Sequence, residues 1–259
     1  MPVWSLSPCI ALLYLREQNK CHMIITEKIK ENFKNYDELA DVAYDMDYSR
    51  LWNRNMYQGN VVFDRLKEKY NIKENPLNRA FIINLFKQDK VYDAFLCAMV
   101  WGKIGLNVNS KKVFNSVFNE INKQNLESKL KNVVDYLKSN DVKNAYESLL
   151  NYGDNPKDIK GKNKIDGVDV SFFTKLLYFA GSSIEGLSVK PLIYDSQLEA
   201  LYYKILSMER RTKPRGSYNR YKDYCDLFEQ ARIELGLKTS GHLEALLFTN
   251  TVKDWVNSI

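Results

Sequence analysis

The sequence predicts an all-α fold, a compact array of short helices, on three observations. Apolar residues recur at helical spacing along nearly the whole chain, as in Ile82, Leu85 and Phe86, then Phe95, Met99 and Val100, then Val113, Val117, Phe118 and Ile121. No stretch alternates apolar and polar residues as a half-buried strand requires. Pro76, Pro156, Pro191 and Pro214 all fall between the periodic stretches, where a residue with no backbone N–H interrupts nothing.

Taken in order, the spacing predicts helices over 24–34, 36–48, 77–88, 90–101, 111–123, 126–138, 141–151, 170–181, 196–210, 218–235 and 240–256. Trp52 follows the polar, Tyr-rich second helix, and Trp101-Gly102-Lys103 closes the apolar fourth one; both tryptophans read first as packing residues and second as pocket walls. Gly153–Asp169, rich in Gly, Lys and Asp, reads as a loop, as does Arg210–Ser217 with its Pro214 and Gly216. Short connectors elsewhere place the helices in one array. Residues 1–22 read as an N-terminal extension, so the expected domain covers 23–259.

Composition limits the chemistry. With 45% hydrophobic residues among 259, the chain has enough apolar material for a core of its own. A net charge of +6 permits a polyanionic partner without requiring one. The cysteines Cys9, Cys21, Cys97 and Cys225 form no Cys-x-x-Cys pair, and His22 and His242 are the only histidines. A zinc site, a disulfide framework and a His-based triad are therefore poor fits, which leaves Lys, Asp, Glu and Tyr to do chemistry. The apolar stretch Pro8–Leu15 is too short, and too lacking in preceding basic residues, for a secretory signal. No segment is long enough to span a bilayer, so the expected location is the cytoplasm.

The most informative segment runs from Gly167 to Lys204: a loop, a very apolar helix, a second loop, and a helix starting at Asp195 or Ser196. Lys175 stands in that apolar helix among Phe172, Phe173, Leu176, Leu177, Tyr178 and Phe179. Desolvation disfavours an ammonium ion and turns a lysine into a nucleophilic amine near neutral pH. A lysine on a helix also snorkels readily, and an Asp before a helix is the ordinary N-cap, so each residue taken singly has a structural explanation. Farther on, Arg210, Arg211, Lys213, Arg215, Arg220 and Lys222 interleave with Tyr218 and Tyr221, a pattern suited to phosphates and bases and equally to a solvated face. Glu244 and Phe248 are four apart, hence on one helix face.

Together these residues resemble the helix-hairpin-helix DNA glycosylase superfamily, in its 8-oxoguanine glycosylase branch. Thr174-Lys175 at the second hairpin helix, a loop, and Asp195 before the next helix match that family in order, type and separation. Phe-Phe-Thr-Lys-Leu-Leu-Tyr-Phe at 172–179 and Ile-Tyr-Asp-Ser at 193–196 are similar to glycosylase-fold proteins of bacterial antiphage islands. One departure stands out: Ser171 and Phe173 occupy positions where the family's hairpin turn carries glycines, and Gly167 is the nearest glycine left.

The resemblance implies that Lys175 attacks the sugar C1′ of a nucleotide extruded from double-stranded DNA, with Asp195 as its catalytic partner and no metal or organic cofactor. It implies a phosphate contact at the turn from Gly167 to Ser171, and the basic pattern of Arg210, Arg211, Lys213 and Arg215 makes these the further expected DNA contacts. Gly241–Phe248 is similar to the last helix of archaeal 8-oxoguanine glycosylases, which implies that Phe248 stacks on the extruded base while Glu244 accepts hydrogen bonds from its edge. An oxidised or modified purine such as 8-oxoguanine is the implied substrate, and defence-operon proteins are the implied partners. The competing reading is a glycosylase fold kept as a DNA- or partner-binding module without catalysis. A purely structural helical protein is the third.

Overall fold

The structure is a computed structural model, and it describes residues 26–54, 57–70, 76–103, 114–150, 161–195, 198, 217–249 and 254. Among the described residues all regular structure is helical. A helical stretch over 26–32 precedes α1 (Tyr36–Tyr44), α2 (Val61–Lys69), α3 (Arg79–Lys87), α4 (Val91–Trp101), α5 (Lys123–Lys138), α6 (Val142–Glu147), α7 (Val170–Ser182), α8 (Tyr218–Leu235) and α9 (Ser240–Leu247). None of these is long and apolar enough to cross a membrane.

Two helices form the centre. Every residue of α4 from Ala94 to Val100 is buried, and so is every residue of α7 from Phe173 to Gly181. Helices apolar all round must be covered on all sides. Accordingly α4 and α7 pack on each other and both take α3 and α5 as neighbours, α6 closes over α5 and α7, and α8, α9 and α1 follow in a row. Lys175 therefore lies mid-way along one of the two central helices.

The all-α expectation holds, with local differences. Helix α2 was not expected, although its signals are present: Asn60 Oδ1 caps the Phe63 N–H at 3.0 Å, and Val62, Phe63 and Leu66 form one buried face. The single helix expected over 111–123 is broken. A helical turn at 114–117 gives way to a short 3₁₀ helix, Glu120–Asn122, because Asn119 Oδ1 accepts the Ile121 N–H and starts a new helical run there. Ile121, counted in the apolar pattern, is 93% exposed as a result. The expected extension 1–22 and nearly all of the expected helix 196–210 lie outside the described residues.

Candidate active site

Helix α7 begins after a turn in which Gly167 adopts φ +79°, a left-handed conformation that glycine tolerates best. Asp169 then caps the helix, its Oδ1 accepting the Ser171 N–H at 3.1 Å. An Asp before an apolar helical run is a legible start signal. The Ser171 N–H, where the resemblance expects a phosphate contact, has a carboxylate partner, and an acidic side chain stands at the helix N-terminus. Gly167 remains exposed on the turn.

Lys175 does not snorkel. It is only 6% exposed, its Nζ donates to the Ser171 carbonyl oxygen at 2.8 Å, and its ammonium sits 5.2 Å from the centre of the Phe172 ring. The stem reaches this position by crossing Gly102, at the end of α4. A Cβ on Gly102 would stand 2.6 and 2.7 Å from Lys175 Cδ and Cε, closer than carbon atoms pack. Burial pushes the Lys175 amine below the usual lysine range, and the negative charges that oppose this come from Asp195 first, then Glu244 and Asp169.

Asp195 is half-buried, and its Oδ1 accepts the Leu198 N–H at 3.0 Å. The N-cap contact is thus present, and it leaves the Asp195 charge to favour the ammonium form of Lys175. Thr174 links the two segments directly: its hydroxyl donates to the Val170 carbonyl oxygen at 2.6 Å and accepts the Tyr194 N–H at 3.0 Å.

Glu244 is fully buried, Oε1 lies 3.1 Å from Arg79 Nη2, and Oε2 accepts the Ile193 N–H at 3.2 Å. Both oxygens are engaged inside the protein, one by Arg79 and one by Ile193. Burial pushes its carboxyl up, against the pull of Arg79 and of the Ile193 N–H. Arg79, 3% exposed, lies against the rings of Tyr44, Trp101 and Tyr178, with ring centres 4.8–5.8 Å from its guanidinium carbon. Nothing local in the sequence marks Arg79 as buried, because its partner is 165 residues away.

Phe248 is half-buried at the end of α9 and packs against the core. Trp101 is half-buried beside Arg79, whereas Trp52 is fully buried as a packing residue. The basic residues Arg210, Arg211, Lys213 and Arg215 lie outside the described residues.

A family model described as "Putative 8-oxoguanine DNA glycosylase OGG-like protein" matches residues 45–248. The chain belongs to this family. The OGG-like match begins directly after α1 and ends on Phe248, so it takes in Lys175, Asp195, Glu244, Arg79 and Gly102 together. It also extends the likeness, carried in the sequence by the segment from Gly167 onward, back through the central helix α4. No curated protein and no solved structure matches the chain.

Proposed function

We propose that this OGG-like protein is a DNA glycosylase with associated lyase chemistry, in which Lys175 is the nucleophile and Asp195 its charge partner. One observation carries the reading: an enclosed lysine amine, depressed by burial, whose strongest opposing charge is the carboxylate that family resemblance pairs with it. Lowering the amine's pKa raises the fraction that carries a free lone pair at a given pH. The target nucleotide leaves the stack, since its glycosidic bond is inaccessible within a duplex. The Lys175 lone pair then forms a bond to C1′ as the C1′–N bond breaks, and the departing base takes the bonding pair and a proton.

Ring opening leaves a Schiff base between Nζ and C1′, from which loss of a C2′ proton eliminates the 3′ phosphate and nicks the strand. The Asp195 carboxylate favours the positive charge that develops on the sugar. Phe248, half-buried at the end of α9, offers an aromatic face for the extruded base. An oxidised purine such as 8-oxoguanine is the first substrate to test, and the likeness to antiphage proteins makes a hypermodified phage base the second. Double-stranded DNA would be gripped at the exposed Gly167 turn and the basic run at 210–215, with Asp169 weakening the usual hairpin contact.

The test is borohydride trapping on duplexes bearing 8-oxoguanine, an abasic site or no lesion, with Lys175→Gln alongside. A Lys175-dependent adduct on 8-oxoguanine is expected. An adduct that persists in Lys175→Gln removes Lys175 as nucleophile. No adduct on any duplex, with DNA still bound, favours the non-catalytic binding module.

A further inference from the structure

The chain from Leu192 to Tyr194 is buried and outside any helix, and side chains rather than a neighbouring strand satisfy its backbone. The Tyr221 hydroxyl accepts the Leu192 N–H at 3.0 Å and donates to the Leu192 carbonyl oxygen at 2.8 Å. The Tyr224 hydroxyl donates to the Ile193 carbonyl oxygen at 3.0 Å, and Glu244, held by Arg79, accepts the Ile193 N–H. Thr174 accepts the Tyr194 N–H. Five backbone groups in three residues are thus fixed by α7, α8 and α9, directly ahead of Asp195.

A buried backbone group must have a partner, and a helix or a neighbouring strand would supply one locally. Here the partners come from three separate helices, so the position of the segment is defined relative to all of them at once. Thr174 is the closest link, because it sits on the same helix as Lys175 and adjacent to it. We infer that Thr174 is a positioning residue that sets the place of Asp195 against the Lys175 amine, with Tyr221, Tyr224 and the Arg79–Glu244 pair holding the rest of the segment. This inference rests on the reading of Lys175 and Asp195 as one reactive pair.

The test is the titration of the Lys175 amine in the full chain, followed by NMR of lysine labelled at Cε and assigned with Lys175→Gln. Among the described residues, Asp195 is the first of the charges that favour the protonated amine, followed by Glu244 and Asp169. Asp195→Asn must therefore lower the Lys175 midpoint. Thr174→Val, which keeps the shape and removes the hydroxyl, is expected to lower it in the same direction by half of that shift or more. Thr174→Ser, which restores the hydroxyl, should return it to the wild-type position.

Tyr221→Phe offers a second route should Thr174→Val fail to fold, since it loosens the same segment at Leu192 and should move the midpoint the same way by less. A Lys175 midpoint that moves in Asp195→Asn but stays in place in both Thr174→Val and Tyr221→Phe overturns the inference. So does a midpoint indifferent to Asp195→Asn. Borohydride trapping on an abasic duplex reports the functional reading separately: no wild-type adduct together with the expected titration shifts sinks the glycosylase and leaves the positioning intact.

Discussion

Replacing Gly102 by alanine introduces one methyl group at the point where the Lys175 stem crosses the end of α4. Gly102 has φ −73° and ψ 6°, a backbone any L-residue adopts, so the substitution brings no conformational strain of its own. It even restricts the unfolded chain, which stabilises by about 0.4–1 kcal/mol. The new Cβ would lie 2.6 Å from Lys175 Cδ and 2.7 Å from Cε, and 3.2 Å from the Ala98 carbonyl oxygen. Carbon atoms pack at about 3.5–4.0 Å, so the stem must retreat by about 1 Å.

A flexible lysine stem yields more readily than backbone, and the overpacking cost should stay near the low end of the usual range, about 1 kcal/mol. Gain and cost then nearly cancel, and the melting temperature should move by no more than about 4 °C. Reactivity is another matter. A displacement of about 1 Å in a reacting group costs about 100-fold in rate, equivalent to about 2.7 kcal/mol of barrier. The assay is single-turnover borohydride trapping on an abasic duplex, with thermal unfolding measured alongside. A Gly102→Ala protein that traps within about threefold of wild type, where about 100-fold is expected, would refute the argument that Gly102 sets the amine's position.

Two further perturbations test the buried charges. Lys175→Met should stabilise the protein at pH 7, because it removes an amine whose charged form is penalised by burial. The folded amine titrates below its ordinary 10.5, so this penalty is fully present below the folded value and disappears as pH rises from there toward 10.5. The stability gap between Lys175→Met and wild type in urea should narrow across that window by about 1.4 kcal/mol for each unit of depression, and a pH-independent gap would contradict it. Glu244→Ala leaves the Arg79 guanidinium buried without its carboxylate and the Ile193 N–H without an acceptor, and should cost about 3–5 kcal/mol in urea unfolding. A loss under about 1 kcal/mol would show that the pair is replaced by solvent.

The sequence by itself determined what depends on neighbours three or four residues away. Apolar spacing located α3, α4, α5, α7 and α8 to within a few residues, since a helix that buries one face must repeat that face every turn. It also isolated Lys175, because a lysine within the Phe172–Phe179 run has little polar surface of its own helix to turn toward. The Asp195 cap was legible for the same local reason.

Tertiary structure decided the rest. Whether the Lys175 amine sits buried against Ser171 depends on α4 ending at Gly102, with no side chain to block the stem. Whether Glu244 meets a ligand depends on Arg79, which a separate helix brings against it inside a ring of aromatics. The place of the chain just ahead of Asp195 depends on hydroxyls and a carboxylate from three helices that hold its backbone. Periodicity reports which face of a helix is apolar; burial of a charge depends on which distant residue arrives to compensate it, and that is set only when the helices pack.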